Sequence, residues 1–221
     1  MTLLAVLLFI PIAVVQASLF EWAFHRYWLH RPWLPKDCFT SHTLVHHQLC
    51  KFDDTFHVEE EEQHEALTFA WWGGPLLIAI NLVPWSLASW ALAASGLHLP
   101  YLASLITIAA VIAIYYVGYE GLHYLMHKPT WPFVEKSSYF QFIKRHHRIH
   151  HVLMDRNLNV LIPIADWMLG TLVIAMPPMP AHTPEAARKL ARRHSSRLRE
   201  KALSGESTAA TGTRSATSDP A

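Results

Sequence analysis

Residues 66–119 contain no Asp, Glu, Lys or Arg. A helix needs about 20 apolar residues to cross a bilayer, so this run of 54 holds two crossings and a short turn, and not three. Residues 1–20 are also free of charge and hold one more crossing. The spans are expected at about 3–23, 67–94 and 101–122. Gly96 and Pro100 place the intervening turn at Ser95–Pro100. Gly73, Gly74, Pro75 and Pro84 predict a kinked or tilted second span. Trp71, Trp72, Trp85, Trp90 and Tyr101 are candidate interfacial anchors. Charged residues make up 16% of the chain, against about 25% in an ordinary globular protein. Two Cys exclude a disulfide framework or a Cys-rich zinc site. A net charge of +1 gives no reason to expect a nucleic-acid partner.

All 18 Lys and Arg lie in 21–65 and 120–221. Three spans put those segments on one side, which the positive-inside rule makes cytoplasmic, with the amino terminus outside. A fourth span at Val160–Met176 would bury Asp166 and Pro163 and export a basic tail. That segment is expected instead as a helix or re-entrant segment at the cytoplasmic face. Val15-Gln16-Ala17 resembles a signal-peptide cleavage site, but no basic region precedes it. Residues 1–182 are read as the membrane domain. Thr183 and Pro184 open a basic amphipathic helix over 183–203, either solvated or in contact with anionic headgroups. Residues 204–221 have the composition of a disordered tail.

The chain has 16 His, and eleven fall in four clusters beside span ends: His25-Arg-Tyr-Trp-Leu-His30, His42-Thr-Leu-Val-His46-His47, His123-Tyr-Leu-Met-His127 and His146-His147-Arg-Ile-His150-His151. At 100° per residue, His123 and His127 share a helix face. So do His42 and His46, with His47 100° away. His147, His150 and His151 form a further patch, and His146 pairs with His150 by spacing. His25 and His30, five apart, converge only if the first helix loosens near its end or if they bind different ions. Imidazoles gathered at neutral pH repel as they protonate, and a bound cation removes the conflict. The expected ligands are His25, His30, His42, His46, His47, His123, His127, His147, His150 and His151, with His146 an eleventh candidate. His57, His64, His98, His182 and His194 are expected to be bystanders. Ten imidazoles exceed the needs of two tetrahedral zinc ions and suit two six-coordinate ions. Imidazole serves iron as well as zinc and copper.

These four ordered boxes resemble those of the membrane-bound fatty acid hydroxylase / sterol desaturase superfamily, written HX3–4H, HX2–3HH, HX3H and HX2–3HH. The family's last box is commonly followed by Asn-aromatic-Gly, Pro, Asp and Gly-Thr. Here Asn157-Leu-Asn159, Pro163, Asp166 and Gly170-Thr171 follow in that order. The likeness covers roughly residues 20–172 and extends to the short bacterial carotenoid hydroxylases. In the glycine position stands Asn159, a residue that also tolerates left-handed backbone angles. One span precedes the first box where many members have two.

The charge-free runs together with the resemblance predict an all-α integral membrane protein: three transmembrane helices and a cytoplasmic, helical, His-rich cap housing a dimetal site. The resemblance implies a non-haem di-iron oxygenase, with zinc a substitute for the two iron ions. Such an enzyme hydroxylates or desaturates a lipid C–H bond with O2 and electrons from a separate donor, a ferredoxin or a cytochrome b5-like protein with its reductase. Glu21, Glu120, Asp155, Asp166 and Asn157 are candidates for orienting the imidazoles. For the carboxylates, a helix cap or a salt bridge with Arg148 or Arg156 is an equal alternative. The acidic run Glu59–Glu62 reads as a solvated loop face.

A metal transporter or a metal-binding protein without redox chemistry is the rival class. Transporter ligands sit mid-membrane at broken helices, whereas these His sit at span ends. A zinc hydrolase would need HExxH, which is absent. So is the Glu and Glu-x-x-His pattern of soluble di-iron bundles. Cys38 and Cys50 read as spare thiols.

Overall fold

The computed structural model describes residues 3–33, 35–51, 56–58, 67–96 and 101–178. The expected basic helix 183–203, the tail 204–221, the acidic run 59–62 and His64, His98, His182 and His194 lie outside the described residues. Among the described residues all regular structure is helical.

Three helices are long and apolar enough to cross a membrane, and only 22, 11 and 22% of the residues in their most apolar stretches are covered by protein. The first is α1 (Leu3–Phe24). It continues into a π-helical turn, π1 (His25–Leu29), so it outruns the expected end near residue 23. Two short helices follow, α2 (Lys36–Phe39) and α3 (His47–Leu49), joined by a second π-helical stretch, π2 (Thr40–His46). The second long helix, α4 (Gly73–Ala94), starts six residues later than expected because 67–72 form bends and a turn. It ends where expected, with Gly96 at a φ of 80°. The third, α5 (Tyr101–His127), runs five residues past its expected end and carries His123 and His127 within it.

The helix α5 packs against both α1 and α4. Small residues let α1 approach closely: Ala13 and Ala17 meet Ile108, Ile112 and Tyr115, with Phe9 and Trp85 alongside. A polar clamp joins α1 to α4. Gln16 donates to the Asn81 carbonyl at 2.8 Å, and Trp85 donates to Gln16. Trp85, expected as an interfacial anchor, is therefore turned inward, whereas Trp71, Trp72 and Trp90 are exposed.

The His-bearing ends of α1 and α5 meet a cap that includes α6 (Pro132–Glu135), α7 (Ser138–His150) and α8 (Ile164–Met168). Ser137 caps α7 by accepting from the Phe140 amide at 3.2 Å. Phe140, Ile143, His146, His147, Ile149 and His150 form its buried side, and Phe140 and Ile143 pack with Phe56, Tyr119, Leu125, Met126 and Val160.

Candidate metal centre

The π-helical turns decide which imidazoles meet. In an α-helix, residues five apart diverge by about 140°; a π turn closes the i to i+5 hydrogen bond and brings them together. The His30 amide donates to the His25 carbonyl at 3.2 Å, and the two rings stack with centroids 5.0 Å apart. Of the two alternatives for His25 and His30, the helix loosens at its end and both fall in one group. The same geometry in π2 corrects a second expectation. The His47 amide reaches the His42 carbonyl, and the His42 and His47 Nε2 atoms lie 3.1 Å apart. His42 therefore joins His47 rather than His46 in the tightest grouping, although the His42 and His46 rings remain neighbours at 5.1 Å. On the regular helix α7, His147 faces His151 at 3.0 Å between Nε2 atoms, and His150 turns to other partners.

Two groups result, each of which could hold a metal ion: His25, His30, His42, His47 and His150; and His46, His127, His147 and His151. Within each group the ligand atoms lie within 4.8 Å of one another. His123 adjoins the second group, its Nε2 3.3 Å from that of His46. The groups abut, with the His47 and His151 rings 4.3 Å apart. All ten expected ligands are in or beside these groups. His146, the eleventh candidate, is in neither; its Nε2 lies 3.1 Å from Asp166 Oδ2. His57 is exposed and meets Lys144.

Five rings are held from behind through Nδ1, mostly by backbone carbonyls that no side-chain pattern announces: His25 by Leu158 (2.5 Å), His123 by Leu67 (2.9 Å), His127 by Phe56 (2.7 Å) and His150 by Arg156 (2.9 Å). His30 is held by the Thr43 hydroxyl at 3.0 Å, which itself donates to the Leu29 carbonyl. An Nδ1 facing an acceptor carries the proton, so Nε2 of the neutral ring carries a lone pair. His30 and His150 both meet this condition, yet their Nε2 atoms are 3.0 Å apart. With both rings neutral, two lone pairs face each other there, an arrangement that a shared cation satisfies.

Burial keeps the rings in the neutral form that binds metal. It pushes His30 down to about 2, helped by the His150 charge. His150 falls to about 4, burial outweighing the Arg156 carbonyl. Burial and neighbouring imidazoles put His42, His46, His47, His147 and His151 well below the ordinary value. An unfolded chain binds protons on these rings more readily, so stability rises with pH. The contribution is complete above about 6.5 and is lost as pH falls towards about 4 for His150 and about 2 for His30. A pH series of Tm for metal-free protein in detergent is expected to fall through this window. A flat profile would show that the imidazoles are not buried neutral.

The carboxylates serve backbone amides, hydroxyls and an ion pair rather than the ten expected ligands. None touches a ligand imidazole. Asp155 is exposed and pairs with Arg156 at 3.7 Å, the ion-pair alternative. Glu120 accepts from the Phe69 amide at 3.2 Å. Glu21 accepts from the Val160 amide at 2.5 Å, Asn159 at 3.0 Å and the Tyr115 hydroxyl at 2.6 Å. Fully buried Asp166 accepts from the Leu158 and Asn159 amides (2.9 and 2.8 Å) and the Thr171 hydroxyl (2.6 Å). Burial would raise its pKa, but the bonds to His146, Thr171, Asn159 and Leu158 outweigh it and hold it below the usual carboxylate value. Asp166 thus fixes the strand of chain whose Leu158 carbonyl orients His25. Asn157, not Asn159, takes the left-handed angle, at a φ of 53°. Its side chain bonds the His146 carbonyl at 3.1 Å and both backbone groups of Val173.

An apolar cleft between α1, α4 and α5 reaches the first group. About 490 Å³ of space, its open mouth included, is lined by residues such as Phe20, Phe24, Phe69, Ile112 and Tyr116, with Glu21 and His25 also in its wall. Tyr116 lies across Gly74, where a Cβ would come within 2.6 Å of the ring. Cys38 and Cys50 are free, and burial raises the thiol pKa of both. Comparison of the chain with protein-family models, with curated proteins and with solved structures returns no match.

Proposed function

We propose that the chain is a membrane-bound non-haem di-iron oxygenase that hydroxylates or desaturates a C–H bond of a lipid. The observation that carries this reading is the facing pair His30 and His150, both held from behind through Nδ1, set within two adjoining groups of buried imidazoles. Metal–imidazole bonds are about 2.0–2.1 Å, so two nitrogens at right angles on one ion lie about 3.0 Å apart and two at the tetrahedral angle about 3.4 Å. The Nε2 separations are 2.9 Å (His25–His42), 3.0 Å (His30–His150), 3.1 Å (His42–His47) and 3.2 Å (His47–His150) in the first group. In the second they are 3.0 Å (His127–His147 and His147–His151). These spacings are close enough for the nitrogens of each group to share an ion, and imidazole serves iron as well as zinc and copper. Bound iron would supply O2 activation.

The chain's own residues do the rest. Carbonyls of Leu158, Leu67, Phe56 and Arg156 and the hydroxyl of Thr43 fix five imidazoles so that their lone pairs converge. The cleft offers an aliphatic chain a water-poor route from the bilayer to the first group, the only one with a member, His25, in its wall. The four ordered boxes and the residues that trail them resemble a family with this chemistry. Electrons come from a separate protein donor, and the His-bearing face is cytoplasmic. The cleft also supports this reading over a metal transporter, which has no use for an apolar route ending at its ligands.

The test is mass-spectrometric lipid profiling of a host with and without the protein. A product richer by one oxygen atom is expected for hydroxylation, and one poorer by two hydrogens for desaturation. Metal uptake into proteoliposomes without any altered lipid would replace this reading with transport.

A further inference from the structure

We propose that residues 157–173 form a re-entrant loop that dips into the acyl region of the bilayer from the His-bearing face, with Trp167, Met168 and Leu169 against lipid tails. The proposal does not depend on the oxygenase reading. Its first support is depth. Ser18 on α1 donates to the Ile162 carbonyl at 2.9 Å and accepts from the Ala165 amide at 3.0 Å. Ser18 lies eight residues, about 12 Å of helix rise, before Arg26, the first cation of the chain. Ile162 also packs with the intramembrane cluster around Ala13 and Ile108, and Leu161 packs on Gly118 of α5. The tip of the loop is therefore level with the apolar part of two spans.

The second support is closure at the neck. Arg26 donates to the Asp155 carbonyl at 3.4 Å, which places the entrance at the level of that cation. The Asn157 amide donates to the Thr171 carbonyl at 3.1 Å, and Arg156 donates to the Gly170 carbonyl at 3.0 Å. The chain thus enters at 156 and is back beside its entrance by 171.

The third is the partition of polarity. Irregular backbone survives at membrane depth only where its polar groups are satisfied by protein. On the inner side, Asp166 takes the Leu158 and Asn159 amides, Glu21 the Val160 amide and Tyr139 donates to the Leu161 carbonyl. The Asp166 carbonyl takes the Thr171 and Leu172 amides. On the outer side, Trp167, Met168 and Leu169 are 72, 51 and 47% exposed. Between Arg156 and Glu185 the only Asp, Glu, Lys or Arg is Asp166, which is fully buried. A solvated surface would not be so composed, and a lipid one would.

The test is photo-crosslinking of the unaltered protein in phosphatidylcholine vesicles whose acyl chains carry a diazirine, with adducts mapped by peptide mass spectrometry. Adducts on Trp167, Met168 or Leu169 comparable to those on Trp90 and Ile80 of α4 are expected. In a second arm, Met168→Cys and Leu169→Cys in a Cys38→Ser, Cys50→Ala background are expected to resist a membrane-impermeant maleimide that labels Asp155→Cys. Maleimide labelling at 168 and 169 equal to that at 155, with no lipid adducts, overturns the proposal. So does protection from both reagents, which would mean that a second copy or residues 183–203 cover this face.

Discussion

His30→Ala and His127→Ala are each expected to abolish lipid oxidation while leaving the fold assembled, and each to lose the ion of its own group. His30 contributes one of five converging nitrogens in the first group and His127 one of four in the second. Both rings are closed off from behind, His30 by Thr43 and His127 by the Phe56 carbonyl, so truncation removes a lone pair that no neighbour replaces. The measurement is metal content by mass spectrometry beside lipid profiling. Thr43→Val provides the graded member of the series. It keeps the His30 imidazole but removes the acceptor that holds its Nδ1–H, a change of the kind that typically lowers metal affinity or activity by about 10- to 100-fold. The order expected is therefore wild type, Thr43→Val, then His30→Ala. Full oxidation by both His variants would dismantle the assignment of these groups as the catalytic centre. Full oxidation by Thr43→Val alone would remove only the role given to its hydroxyl.

Part of this site was readable in the chain because apolar length and imidazole spacing are written residue by residue. The absence of charge over 66–119 leaves little choice but two crossings, and the helices α4 and α5 occupy that run. The boundaries moved where backbone geometry intervened: bends at 67–72 delay α4, and α5 continues to the residue that its own imidazole serves. The His set was also readable, but its division was not. A rotation of 100° per residue puts His42 with His46, whereas π2 puts His42 with His47 and sends His46 across to His127. The clue lay in the spacing of His25 and His30. Five residues converge only on a π turn, and the same interval separates His42 from His47. The groups behind the imidazoles left no trace, since a carbonyl such as that of Leu158 or Phe56 belongs to every residue type. Asp166 stood out as a lone charge in an apolar stretch, yet two of its four partners are backbone amides seven and eight residues away, beyond the reach of any spacing rule.

Asp166→Ala is expected to destabilise the protein and to loosen the first metal group while sparing the second. The carboxylate satisfies two amides and one hydroxyl, all buried, and faces His146. Each buried donor left without a partner costs about 1–3 kcal/mol. A loss of several kcal/mol is expected, read as a lower Tm in detergent. Asp166→Asn keeps the volume and one acceptor oxygen, so its loss should be smaller, about 1–3 kcal/mol for the donor it abandons. A purely structural role would stop there. The contact at 2.5 Å between the Leu158 carbonyl and His25 Nδ1 carries the effect further. Once either the Leu158 or the Asn159 amide is released, that carbonyl no longer holds the imidazole firmly, and affinity at the first group should drop by up to roughly the 10- to 100-fold typical of a lost orienting contact. His127 and His147 take nothing from this loop, so the second group should keep its ion. Metal titration of Asp166→Asn, the variant more certain to fold, separates the two roles. Equal weakening of both groups would mean that Asp166 acts on the fold alone, and an unchanged Tm in Asp166→Ala would mean that its hydrogen bonds are replaced.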